Sequence, residues 1–246
     1  MSSDGTQLAI KIPAILVNMQ KGNSIIQYLQ RYRSGDAEIV KFKMSFGFAQ
    51  TSDHVEYNFM FDPSRDKALD FISSFKEYHQ SFGTSVTFTP RFHTWSCDDC
   101  EGSILEDDCI INGKYCNVNQ NNLAFRGKEI IFEILRERCI REGPNGDKKW
   151  WKYMKKAHSL CDSTLVYDCS QSVQQILDID WKKVDDCVND SFKSDYVKNT
   201  TDNLILNEEQ EYINSQKSHS GYTSLYINGD IYNGDLDSDY VKEAIC

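Results

Sequence analysis

Residues 55–95 read VEYNFMFDPSRDKALDFISSFKEYHQSFGTSVTFTPRFHTW. Val55, Tyr57, Phe59 and Phe61 recur at every second position, the period of a strand that buries one face. Asp62-Pro63 follows, pairing a favoured N-cap residue with one suited to the first helical position, so a helix is expected to start there. Ala68, Phe71, Ile72, Phe75, Tyr78 and Phe82 then fall on one helical stripe, and Gly83 ends it. Residues 85–95 are β-branched and aromatic, the composition of a returning strand. A β-α-β unit of this length implies two parallel strands joined by a right-handed crossover.

Downstream, residues 97–187 read as mostly helical. Apolar residues share a face over Glu129–Ile140 (Ile130, Ile131, Ile134, Leu135) and over Trp150–Cys161 (Trp151, Met154, His158, Cys161). Shorter helices are expected over 172–177 and 180–189. Residues 190–219 are polar and acidic, and read as a loop or a partly disordered excursion. In the closing stretch, alternation over 222–227 leads into Asn228-Gly229, a strong hairpin signal, and Asp235 or Asp237 can cap a last helix bearing Leu236, Tyr240, Val241, Ala244 and Ile245. The order is β-α-β, a helical insertion, then β-β-α. The fold class is therefore α+β: a thioredoxin-like domain over 54–246 with a cysteine-rich helical insertion at about 97–190 and a polar loop at about 190–219. Upstream, residues 8–50 read as strand, short helix (Ile25, Ile26 and Leu29 spaced along Gly22–Tyr32) and strand, the last part of another domain.

The chain has 246 residues, 40% hydrophobic and 12% aromatic, enough for a real core. Lys and Arg total 27 against 37 Asp and Glu, a net charge of −10. Nucleic acid and anionic membrane need a basic face, so neither is expected as a partner. Acidity serves solubility, and it would also steer a basic cargo determinant favourably. Nine cysteines, Cys97, Cys100, Cys109, Cys116, Cys139, Cys161, Cys169, Cys187 and Cys246, all follow residue 96. Zinc modules need paired short spacings or histidine partners, and only Cys97-Asp98-Asp99-Cys100 is short. Structural disulfides in an oxidising lumen are the favoured reading, with an odd thiol left free or paired outside the chain. From proximity, Cys97 is expected to pair with Cys100 or Cys109, and Cys169 with Cys187. The sequons Asn189-Asp190-Ser191 and Asn199-Thr200-Thr201 agree with secretory passage. The first residues have no signal-peptide pattern, and no run of about 18 apolar residues could span a membrane. A lumenal cysteine pattern without a leader points to a piece of a longer chain.

A thioredoxin-type enzyme needs a low-pKa thiolate at the start of the first helix, directly after the first strand. Here that place reads FDPSRDK, residues 61–67, without sulfur, and no proline stands near Thr223, where the fold puts a cis-proline. Cys97-Asp98-Asp99-Cys100 follows the second strand instead, and its two carboxylates disfavour a thiolate; a structural bridge is favoured over a redox pair. His93 and His158 read as ordinary histidines rather than ligands or bases. Trp150-Trp151 reads as packing between helices, with a binding anchor as the sharper alternative. Asp235, Asp237 and Asp239 lack the downstream glutamate of an EF-hand loop, so capping is favoured over calcium. No catalytic residue, cofactor or metal is expected.

FTPRFHTWSC (88–97), CIINGKYC (109–116), DKKWWKYMKKAHSLC (147–161), DIDWKKVDDCVND (178–190) and LYINGDIYNG with VKEAIC (225–234, 241–246) resemble, in order and in cysteine spacing, the central lumenal region of plant-type vacuolar sorting receptors. IPAILVNMQKGNSIIQYLQ (12–30) and VEYNFMFD (55–62) resemble that family's passage out of its protease-associated domain, which makes residues 1–50 the C-terminal part of such a domain. The resemblance implies a non-catalytic segment in the lumen of the Golgi, prevacuolar or endosomal compartments. Its partners would be protein cargo or neighbouring receptor domains, with no membrane contact of its own. The family's leader, epidermal-growth-factor-like repeats, membrane span and tail have no counterpart here. The expectation is an incomplete receptor or a soluble descendant of one. The rival expectation is a thiol-disulfide oxidoreductase using Cys97 and Cys100.

Overall fold

The structure is a computed structural model describing residues 19–31, 52–118, 126–161, 167–192, 202–216 and 223–246. The chain divides into two compact units, Met1–Gln50 and Thr51–Cys246. The first contributes helix α1 (Met19–Arg31), over the stretch where the spacing predicts one. The strands expected at either side of it lie outside the described residues.

In the second unit, β1 (Val55–Phe61) runs parallel to β2 (Val86–Phe92), in register from Val55↔Val86 to Phe61↔Phe92. Parallel neighbours need a crossover, and α2 (Asp66–Phe82) supplies it. The other edge of β1 pairs antiparallel with β5 (Ser224–Ile227), which pairs with β6 (Asp230–Ile231), giving the order β2-β1-β5-β6. The β5–β6 turn places Asn228 and Gly229 at φ 49° and 84°, the left-handed region a tight hairpin requires. Asn228 also ties the turn to β1: its Oδ1 accepts from Glu56 N at 2.9 Å and its own N donates to Glu56 O at 2.7 Å.

Alternation along β1 sends Tyr57, Phe59 and Phe61 into one aromatic layer. Phe59 meets Phe71 at 5.0 Å between ring centroids, Tyr57 meets Phe75 at 6.0 Å, and Phe88 on β2 meets Trp151 at 4.8 Å. Each ring so buried contributes roughly 1.5–3 kcal/mol. Trp150 and Trp151 are both fully buried and meet edge to face at 5.2 Å, so this pair is core.

The insertion opens with a two-stranded hairpin, β3 (Cys109–Ile110) and β4 (Tyr115–Cys116). Four helices follow: α3 (Gly127–Glu142), α4 (Gly146–Cys161), α5 (Tyr167–Ile176) and α6 (Trp181–Ser191). Gly146 permits the tight α3–α4 connection, since a Cβ there would lie 1.7 Å from Arg141 O.

Two expectations need correction. Asp62 does not cap α2. The helix starts at Asp66 behind Arg65, and Asp62 closes a preceding turn by accepting from Ser64 N at 2.8 Å and Ser64 Oγ at 2.7 Å. Residues 190–219 are not all loop either, because they contain α7 (Leu204–Ser215), capped by Asn203. Glu209 of α7 is wholly buried; it accepts from Phe92 N at 3.0 Å and pairs with Arg138, while Glu208 pairs with Arg138 at 2.8 Å and Arg91 at 3.0 Å. The chain ends in α8 (Ser238–Ile245), capped by Asp237 through Asp239 N at 2.9 Å and Tyr240 N at 3.3 Å.

Candidate functional site

The turn between β1 and α2 is where a thioredoxin-type thiolate would stand, and Asp62, Pro63, Ser64 and Arg65 fill it. Asp62 is 1% exposed. Burial pushes its carboxyl above the ordinary carboxylate range, while the two hydrogen bonds from Ser64 pull the other way. No atom of these four residues can attack a disulfide.

Sulfur lies elsewhere. Cys97 and Cys100 are bonded to each other beyond β2, half-buried, with Cys97 N donating to Gly113 O at 2.8 Å. Cys109–Cys116 clasps the β3–β4 hairpin, where the two residues face each other in the ladder. Cys139–Cys187 joins α3 to α6, and Cys161–Cys169 joins the end of α4 to α5. The expected Cys169–Cys187 bridge is thus corrected: α5 starts beside the last turn of α4, so Cys169 reaches Cys161, and α6 presents Cys187 to α3. Cys246 is exposed and outside the four bridges. Asn189 is exposed on the last turn of α6, and Asn199 lies outside the described residues. His158 Nε2 is 2.9 Å from Asp70 Oδ1, and His93 continues the ladder by donating its backbone N to Phe61 O at 3.0 Å. Among the described residues, no group of three or more His, Cys, Asp or Glu could hold a metal ion.

A cleft of about 860 Å³ lies between α2 and the stretch leading into α8. Phe71, Tyr78 and Leu236 give it apolar walls; Asp70, Glu77, Asp235, Asp237 and Asp239 rim it, against Lys67. The two sides are joined by Ser74 Oγ and Ser238 Oγ at 2.6 Å and by Tyr78 donating its hydroxyl to Asp239. That carboxylate pushes the Tyr78 hydroxyl pKa up. Asp237 is occupied as the α8 cap and Glu77, though exposed, faces Lys76 at 3.7 Å and Lys155 at 3.8 Å, whereas Asp235 stands exposed on the rim. Such a cleft attracts cations and offers apolar walls to the stem of a lysine or arginine. Sequence reading singled out Asp235, Asp237 and Asp239 but not their partners on α2. The two strings lie about 160 residues apart, and no local signal joins them.

Residues 55–246 match the family described as the vacuolar sorting receptor thioredoxin-like domain. The chain belongs to this family. The vacuolar sorting receptor match spans the sheet, the insertion and all nine cysteines. Vacuolar-sorting receptor 6 of Arabidopsis thaliana is 25% identical over 96% of this chain and 40% of its own length. Vacuolar-sorting receptor 1 of Pisum sativum is 26% identical with the same coverage. The chain spans about 40% of the length of the curated relatives it matches. A solved Pseudomonas syringae structure titled "putative protein-disulfide isomerase" aligns at 9% identity with a TM-score of 0.45, over 78% of this chain and 93% of that one. Likeness at that level says nothing about activity. Among the described residues, no helix is long and apolar enough to cross a membrane.

Proposed function

We propose that this chain is a lumenal segment of a vacuolar cargo-sorting receptor-like protein that recognises protein surfaces and makes or breaks no bond. Membership of the receptor family supports the setting: the lumen of the secretory and endosomal pathway, beside neighbouring receptor domains. On this reading residues 1–50 are the end of a protease-associated domain and residues 54–246 the thioredoxin-like one. The observation that carries the non-catalytic part is the head of α2, where Asp62-Pro63-Ser64-Arg65 stands in place of a thiolate. Four bonded cysteine pairs are then staples, and the acidic cleft is the surface that would receive a basic stretch of cargo.

The half-buried Cys97–Cys100 bridge is the one feature favouring the oxidoreductase alternative. Two measurements separate the readings. Insulin reduction by the purified chain should not exceed the uncatalysed rate, and Cys97→Ser should leave that result unchanged; turnover abolished by Cys97→Ser would establish the enzyme. In parallel, a Lys/Arg-rich peptide should bind the folded chain and an acidic one should not, with binding falling as salt rises. Asp235→Asn combined with Glu77→Gln should weaken the basic peptide about fivefold, the sum of two exposed charge contacts. An unchanged affinity in the double variant would remove the cleft from the proposal.

A further inference from the structure

The end of α6 carries a site that surface recognition does not use. Asn189 opens the sequon Asn189-Asp190-Ser191 and is exposed in the last turn of the helix. It lines a hollow of about 330 Å³ together with Phe132, Tyr167 and Val188. Phe132 is 37% exposed and Tyr167 42%, large aromatics left open to water. Phe132 is backed by Phe192 at 6.3 Å. Tyr167 is held by its hydroxyl donating to Asp185 Oδ2 at 2.7 Å, one helical turn before Asn189, so the hollow has fixed walls.

We infer that Asn189 carries an N-linked glycan whose first N-acetylglucosamine rests against Phe132 and Tyr167. The sugar's C–H face would cover apolar ring surface that otherwise faces water, while its hydroxyls remain solvated. In the transfer, Asn189 Nδ2 attacks the anomeric carbon of an oligosaccharide carried on a polyprenyl diphosphate. The new C–N bond forms as the glycosyl–phosphate bond breaks, the lipid diphosphate leaves with the bonding pair, and the amide nitrogen gives up one proton.

The fold also fixes when this can happen. Ser191, the third residue of the sequon, is 6% exposed; its hydroxyl donates to Val188 O at 2.6 Å and accepts from Asn203 Nδ2 at 2.8 Å. Once α7 has docked, a transferase that must grip that hydroxyl cannot reach it. Transfer therefore precedes folding of the α6–α7 region, and the folded protein accepts the glycan only because Asn189 points outward.

The inference rests on lumenal passage, so the experiment reads that passage separately. The chain is secreted from a eukaryotic host with an added leader, and its tryptic peptides are released by peptide N-glycosidase in heavy-oxygen water. Residues 184–193 carry Asn189 alone, so the label assigns the site in the wild-type chain without any variant. Labelled Asp at 189 on most molecules is expected. Intact disulfides with position 189 unlabelled, whatever the state of Asn199, overturn this inference alone; cysteines found as free thiols overturn with it the disulfide framework on which the lumenal reading rests. For the seat, protein trimmed by endoglycosidase H to a single N-acetylglucosamine should melt about 2 °C above Asn189→Gln, a shift worth roughly half a kcal/mol or more in a chain of this size. That gap should vanish in a Phe132→Ser background. A gap that persists there removes the contact with Phe132.

Discussion

Glu137 lies wholly buried on α3, one helical turn from Glu133, and accepts from Trp150 Nε1 at 3.2 Å. Burial is the main reason its carboxyl is pushed well above the ordinary range; the charge of Glu133 adds to it, and the indole donor and Arg136 oppose it. The sign of the linkage follows. In the unfolded chain this side chain ionises near pH 4.3, whereas the folded chain holds the proton to a higher pH. Its stabilising contribution is complete below the unfolded value and is lost as pH rises through the folded one. Glu137→Gln keeps an acceptor for Trp150 and never ionises. Urea denaturation across pH 4 to 8 should therefore show the variant gaining on wild type as pH rises. A stability difference that stays flat over that window would mean Glu137 is charged in the core, held by Arg136. The turn at Asp62 teaches the same lesson at the candidate site. Missing sulfur was legible there, but the inward direction of the carboxylate was not, because it depends on a turn closed by Ser64 rather than on capping preference.

At the scale of elements, α7 docks through a buried charge cluster as well as through Ile205, Leu206 and Ile213. Glu209, fully buried, faces Arg138 and lies 3.6 Å from Arg91, and Arg91 in turn covers the ring of Tyr212 at 4.3 Å. Truncating one partner of a buried charge cluster leaves the others desolvated and unpaired, at a cost of about 3–5 kcal/mol. Glu209→Ala should cost that much in chemical denaturation, whereas Glu211→Ala on the exposed side of the same helix should stay within about 0.5 kcal/mol. Equal effects would show that α7 is held by Ile205, Leu206 and Ile213 alone. This is also why the helix was not legible. Its glutamates read as solvent-facing charge, since their arginine partners come from β2 and α3. The β1–α2–β2 unit and the Asn228-Gly229 hairpin were legible because their signals are local: alternation, a stripe, and a turn residue that tolerates positive φ.

For the molecule as a whole, the cysteine framework is concentrated where the sheet gives least support. All four bridges lie in the insertion or at its threshold, among helices that must bury Glu133, Arg136, Glu137 and Arg138 along with their apolar residues. The spacing gave cysteines as staples but not their partners, since pairing depends on how helices stack. The acidic cleft escaped for the same reason, being made by the packing of α8 on α2. If the bridges act mainly by restricting the unfolded chain, their worth follows loop length. Cys139–Cys187 spans 48 residues and Cys97–Cys100 spans 3. Loop-closure entropy then assigns about 4 kcal/mol to the first and about 1.6 kcal/mol to the second. Replacing both cysteines of each pair by alanine should reproduce that order in urea midpoints, with the Cys139/Cys187 variant losing more than twice as much stability. Losses that are equal or reversed would place the effect of Cys97–Cys100 in the folded state instead. It would then be holding the chain as it leaves β2, where Cys97 meets Gly113 and Trp95 exchanges backbone hydrogen bonds with Cys116.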